Sequence, residues 1–332
     1  MSLIAAAQFC LGFASSFVAL VCQLWKRHDV CRTARNFQKV LNRLSAEAKM
    51  GYIGDDGGKG NLDIITPWII LLIVIKFSIT MYEVIMNLPY IIEYGDIINV
   101  ESFIAFFLNL YIAQIAAVFS DIVFAIMLLL ARYFYLLDEI LKALQLEMQA
   151  DGDGLTQTQA AMQIRVHQKK LTQVLRLYTQ MKRMASEFAR CIEVSIFVQM
   201  FNTFANLLTN LYALLDFYVK GNVLSALNLV YVVMIFSNIC LLLHGAEWVK
   251  KNSEHLRDTI LDLDASWGSL RSKFRSDVLV FSYWPEVFEI NVLRMFSLNN
   301  SFLLFLISYS INFVVIILQS IVTKALFEEF ED

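Results

Sequence analysis

Six stretches of this chain, roughly 2–25, 67–88, 101–132, 189–217, 223–246 and 298–322, are apolar over enough residues to cross a membrane as helices. At 1.5 Å per residue each spans about 30 Å of hydrocarbon. They lack the period-two alternation of barrel strands and are too long for them, so the expected fold class is all-α, a polytopic helical membrane protein. Composition agrees, because 332 residues that are 58% hydrophobic carry more apolar surface than one soluble core can hide. A formal net charge of -3 gives no reason to expect nucleic acid as a partner.

Lysine and arginine orient the spans. The connections Lys26 to Lys59, Arg132 to Arg190 and Lys250 to Arg294 hold 24 of the 27 basic residues, which predicts that all three are cytoplasmic. The opposite side carries Glu93, Asp96, Asp216 and the acidic tail EEFED, with only Lys220 and Lys324 as cations. Both ends of this chain are therefore expected outside. Residues 1–27 resemble a secretory signal only superficially, because the apolar run exceeds 20 residues and Lys26-Arg27 follow it, so an uncleaved span is expected. Cys10, Cys22, Cys31, Cys191 and Cys240 are odd in number and fall in spans or on the cytoplasmic side, which argues against a disulfide framework. The sequon Asn299-Asn300-Ser301 falls at a cytoplasmic boundary and reads as chance.

The cytoplasmic connections read as helical extensions of the spans, interrupted by ADGDG at 150–154. Ile164, His167, Leu171, Val174, Tyr178, Met181, Ala185 and Phe188 alternate steps of three and four, an a/d seam that predicts a bundle below the membrane. Leu256, Leu263, Trp267, Leu270 and Phe274 share a second face, and Pro285 marks the turn into the last helix. Single amphipathic helices lying on the lipid are the alternative. No enzyme is expected: His28, His167, His244 and His255 are scattered, and no paired-cysteine, nucleophile-elbow or phosphate-loop motif occurs. No cofactor or metal is implied.

Polar residues inside spans are costly, and so informative. Ser297, Ser301, Ser308, Asn312, Gln319 and Thr323 fall within roughly 80° of one another on a helical wheel. The stripe reads either as hydrogen-bonding glue between helices of one bundle or as a face lining water in a pore shared by several subunits. Lys76 and Asp121 lie at matching depths in the second and third spans and are expected to pair or share a hydrated cavity, unless Lys76 snorkels away.

Residues 312–320, NFVVIILQS, resemble the signature of insect gustatory receptors, in which Thr-Tyr, five apolar residues and Gln-Phe follow in order within the last helix. Asn312 and Phe313 stand for the Thr-Tyr pair, Gln319 matches, and Ser320 replaces the Phe. The preceding FEINVLRMFSLNNSFLLFLISY, residues 288–309, is similar to the family's approach to that helix. The resemblance implies a chemosensory subunit acting as a ligand-gated, non-selective cation channel in the plasma membrane. It implies four subunits, like or mixed, with Ser308, Asn312 and Gln319 lining a central pore, and a small tastant as ligand.

On this reading residues 1–296 form the transmembrane and anchor helices, and 297–332 the pore helix with a short extracellular tail. Family members have seven spans with the N-terminus inside, whereas this chain shows six and starts at the equivalent of the second. A truncated, non-conducting subunit is thus one alternative; a G-protein-coupled-type receptor or a transporter is another. Against the former, ARYFY at 131–135 is not the acidic-Arg-Tyr triplet such receptors carry. For the tastant, Phe107, Tyr111, Gln114, Asn206, Asn210, Tyr212, Asn228 and Tyr231 in the outer halves of three spans supply aromatic faces with few polar anchors. Without a carboxylate cluster among them, a neutral or weakly polar compound, bitter rather than sugar, is expected.

Overall fold

The structure is a computed structural model that describes Val100–Ala150, Gln157–Val219, Ala226–Ser266 and residues 287–331, with Val74 and scattered positions between 14 and 40. Side chains are described mainly at 119–147, 166–215, 232–262 and 287–320. Four helices result: α1 (Val100–Ala150), α2 (Gln157–Val219), α3 (Ala226–Ser266) and α4 (Asn300–Glu331). A two-stranded hairpin, β1 (Asn291–Val292) and β2 (Phe296–Ser297), precedes α4. The described residues between 14 and 40 are helical except at Lys26.

All four helices are long and apolar enough to cross a membrane. The expected spans at 101–132 and 189–217 fall within them, those at 223–246 and 298–322 overlap them from Ala226 and Asn300 onward, and those at 2–25 and 67–88 lie largely outside the described residues. Three of the helices run well past their apolar stretches. α1 continues to Ala150, α2 begins at Gln157 and α3 continues to Ser266.

The bundle is built on seams of alternating three- and four-residue steps. On α2, His167, Leu171, Val174, Tyr178, Met181, Ala185 and Phe188 are all buried, as the heptad pattern predicts; Ile164 lies outside the described side chains. α1 carries its own seam in Val123, Met127, Leu130, Phe134, Leu137, Leu141 and Leu144, all buried. α3 repeats the pattern with Ile239, Leu242, Ala246, Val249, Ser253, Leu256 and Ile260. Three such seams interlock because i±3 ridges pack into i±4 grooves, the geometry of coiled coils. α1 packs most extensively on α3, while α2 touches both. Of the second face expected on α3, Leu256 is fully buried, and Leu263 to Pro285 lie outside the described side chains.

One glycine fixes the spacing of α1 and α3. A Cβ added at Gly245 would stand 2.9 Å from Cδ2 of Phe124 and 3.5 Å from Cβ of Met127. The helices therefore touch closely at this point, and a side chain would force them apart. Gly245→Val is expected to cost about 1–3 kcal/mol through overpacking, read as a lower melting temperature of the detergent-solubilised protein. An unchanged melting temperature would show that Phe124 swings away freely.

The buried carboxylate of Asp138 is fully matched in this core. Thr259 Oγ1 donates to Asp138 Oδ1 at 2.5 Å, and Lys142 Nζ lies 2.7 Å from Asp138 Oδ2, so both oxygens of a carboxylate that is 3% exposed are engaged. Gln199 Nε2 donates to Ser120 Oγ at 2.6 Å and ties α2 to α1 inside the apolar region.

The hairpin clips the start of α4 to α3. Val292 and the flanking Phe288, Ile290 and Leu298 are buried, the Phe288 N–H donates to Ser253 Oγ at 3.1 Å, and Lys250 Nζ sits 2.7 Å from Glu289. A hydrogen bond from that ammonium holds the Glu289 carboxyl below its usual range. The stabilisation is thus present at neutral pH and fades as pH falls through that lowered value. At the tip, Leu293 and Arg294 take φ of 50° and 57°, a conformation normally left to Gly or Asn. The Met295 N–H closes the turn on the Val292 carbonyl at 2.9 Å.

Candidate functional site: the outward face of the last helix

α4 is the least embedded helix. Only 11% of its span is buried inside the protein, against 50% for α1. Its start is capped by Asn299, whose Oδ1 accepts the Phe302 N–H at 2.9 Å, and by Glu247, whose Oε2 accepts the Asn300 N–H at 3.2 Å. The first asparagine of the apparent sequon is therefore a helix cap. Leu306 and Ile317, 7% and 9% exposed, mark the line along which α4 docks on the rest of the protein.

The polar stripe lies on the opposite side, roughly 150° round the helix at 100° per residue. Ser301, Ser308, Asn312, Gln319 and Thr323 are all exposed. Among the described residues none hydrogen-bonds the side chain of Ser308, Asn312 or Gln319; the Thr323 hydroxyl donates back to the Gln319 carbonyl at 2.7 Å. Ser297 does not belong to the stripe. It sits in β2 before the helix begins, where its Oγ is within hydrogen-bond distance of two acceptors, Asn291 Oδ1 at 2.5 Å and Glu289 Oε2 at 3.1 Å. The stripe is thus five positions long, and it faces away from its own bundle.

Two unlike apolar edges border it. Leu304, Ile311 and Val315 are exposed along one side, and Phe305, Tyr309 and Ile316 along the other. The aromatic edge adjoins a cavity of about 450 Å³ between α2, β2 and α4. Rings line it in succession: Phe197 lies 6.5 Å from Phe296, Phe296 stacks on Phe302 at 4.2 Å, and Phe204 lies 5.7 Å from Tyr309. The cavity had no local motif to announce it, since its walls come from two segments, 197–208 and 296–309, distant in sequence.

No nominated pocket residue lines this cavity. Asn206, Asn210 and Tyr212 are half-buried on α2, and the Asn210 amide donates to the Asn206 carbonyl at 2.7 Å, inside its own helix. Phe107, Tyr111, Gln114, Asn228 and Tyr231 lie outside the described side chains. Asp121 is half-buried on α1, and Lys76, its expected partner, lies outside the described residues. Cys22, Cys191 and Cys240 are free thiols.

Membrane-length helices joined along three interlocked seams define a multi-pass helical membrane protein. The family model described as 7tm Chemosensory receptor matches residues 1–323, and the chain belongs to that family. Members are receptors, not enzymes. Among curated proteins it is similar to putative gustatory receptor 89a of Drosophila melanogaster, 23% identical over 307 residues covering 90% of this chain and 70% of that one. It is also similar to the gustatory receptor for bitter taste 93a of the same organism, 24% identical over 163 residues, covering 49% of this chain and 39% of that one. Its fold matches the insect olfactory receptor OR5 from Machilis hrabei in complex with eugenol, with a TM-score of 0.64 at 15% identity, covering 96% of this chain and 83% of that one. A second structure of OR5 from Machilis hrabei gives a TM-score of 0.65 at 14% identity, covering 96% of this chain and 82% of that one.

Proposed function

We propose that this chain is a gustatory receptor subunit, one of four around a central, ligand-gated, non-selective cation pore lined by α4. The single observation that supports the reading is the direction of the stripe. Ser308, Asn312 and Gln319 are exposed on the side opposite Leu306 and Ile317, where glue within one subunit has nothing to hold. Neutral amides facing water offer both donors and acceptors to a weakly dehydrated cation without binding it too tightly.

In this arrangement the helical extensions of α1, α2 and α3 lie in the cytoplasm as an anchor, with the C-terminus outside the plasma membrane. The ligand is a small neutral or weakly polar tastant of the bitter class, in keeping with a relative named for bitter taste. Partner subunits are copies of this chain or related receptors.

Cysteine accessibility tests the pore. In cells expressing the protein alone or with a related receptor, cysteines at 308, 312 and 319 are expected to react with a small charged thiol reagent and change the current. Cysteines at 314 and 317, on the inward side, are expected to stay silent. Labelling all round the helix would return the stripe to a structural role. Orientation is tested separately: an epitope after Asp332 is expected to stain intact cells, and staining only after permeabilisation would overturn the assignment of the cytoplasmic side.

A further inference from the structure

A second cavity, of about 410 Å³, lies between the N-terminal helical segment and α2, with no lining residue from α4. Arg32, Asn36 and Lys39 come from one wall at steps of four and three, and Gln180, Arg183 and Glu187 from the other at steps of three and four. Both sets therefore project from single helix faces. Val40 and Met184, 5% and 4% exposed, form an apolar floor.

Its charge is lopsided, with three cations against one lining carboxylate. That carboxylate is occupied, since Arg183 Nε donates to Glu187 Oε1 at 3.1 Å; Arg32 in turn reaches Asp29, outside the lining, at 2.8 Å. The Arg32 and Arg183 side chains remain 66% and 81% exposed, so an entering anion meets them without displacing buried structure. Position completes the picture. Lys26 Nζ donates to the Arg190 carbonyl at 2.6 Å, tying the two walls together where the apolar part of α2 begins. From that tie the cavity reaches roughly 5 to 20 Å further along the helices, at 1.5 Å per residue.

We infer that this cavity binds a phosphorylated anion of headgroup size, such as an inositol phosphate, presented by an inner-leaflet lipid or free in the cytoplasm. The inference rests on the cytoplasmic placement proposed above, though not on conduction. Guanidinium groups suit phosphate because their N–H pairs match two of its oxygens, and basic pockets between helices at the cytoplasmic boundary are the usual receptors for such heads. Occupancy would brace the N-terminal segment against α2.

Capture of the full-length, detergent-solubilised protein on beads carrying phosphatidylinositol bisphosphate, with phosphatidylcholine beads as control, tests this directly. The triple variant Arg32→Gln, Lys39→Gln, Arg183→Gln is expected to bind about a hundredfold more weakly, roughly fivefold per cation removed. A triple variant of equal charge loss on exposed positions elsewhere, Lys169→Gln, Arg176→Gln, Lys251→Gln, is expected to bind as the wild type does. Both variants are first shown to elute as the wild type does on gel filtration. Competition by soluble inositol trisphosphate at the same affinity identifies the free anion as a ligand, and failure to compete identifies the lipid; either supports the site. Equal weakening in the two variants, or equal capture on phosphatidylcholine, overturns it. Because no current is measured, failure here leaves the pore reading standing, and a failed pore leaves this result interpretable.

Discussion

Leucine at both 312 and 319 is expected to cut the tastant-evoked current by an order of magnitude while leaving the amount of assembled protein at the cell surface unchanged. The reason lies in where these amides point. Both are exposed on α4 and, among the described residues, neither hydrogen-bonds within the subunit, so removing them leaves no orphaned partner in the bundle. Four copies of an apolar side chain around an axis instead make a constriction that water leaves. Gln319→Leu alone is expected to alter ion selectivity or basal leak. Whole-cell currents normalised to surface protein measure both effects. Should the double variant conduct normally, α4 does not line the path; should it fail to reach the surface, its amides hold helices together.

The largest effect on stability is expected from Phe134→Ala. Phe134 is fully buried on the α1 seam, with Tyr178 of α2 at 6.4 Å and Phe288 of the segment before β1 at 6.2 Å between ring centroids. Its loss removes ring contacts to two elements at once, and the cavity cannot close by moving either one alone. A cost of about 3–5 kcal/mol follows from comparable aromatic truncations. In thermal unfolding of the detergent-solubilised protein, this variant should fall well below the wild type, with Phe134→Leu between them. A drop no larger than that of an exposed-face control such as Leu146→Ala would mean that the core is looser than its packing implies.

The sequence was legible wherever apolar and polar residues alternate in contrast. The α2 seam stands out because Gln, Lys and Arg separate its members, and the described part of it is buried as the spacing predicts. The α1 and α3 seams have the same three-and-four spacing but begin inside uniformly apolar runs, where nothing distinguishes the face that meets a helix from the face that meets lipid. Asp138 carries no sequence signal for a related reason: its partner Thr259 is 121 residues away, and only packing brings the two together.

The hairpin was illegible because its tip, Leu293-Arg294, lacks the Gly or Asn that announces a left-handed turn. Spacing alone therefore extends the helix back to Ser297, about one turn before its start at Asn300. The polar stripe of α4 could be read from spacing alone, since amides and hydroxyls contrast with their surroundings. What spacing could not give was direction, which depends on where Leu306 and Ile317 find their neighbours.

The length of α2 has a mechanical consequence. Its 63 residues form one helix, about 95 Å from end to end at 1.5 Å per residue. The rod is held by α1 and α3, with Gln199 tied to Ser120 of α1, and it touches α4 five residues further on through Phe204 and Tyr309. A stiff rod tilts as one body: a rotation of about 5° carries a point 50 Å from its centre of rotation sideways by roughly 4 Å. An event at either end can thus reach the other as a rotation of one solid body, with neither a hinge nor a relay of side chains between them.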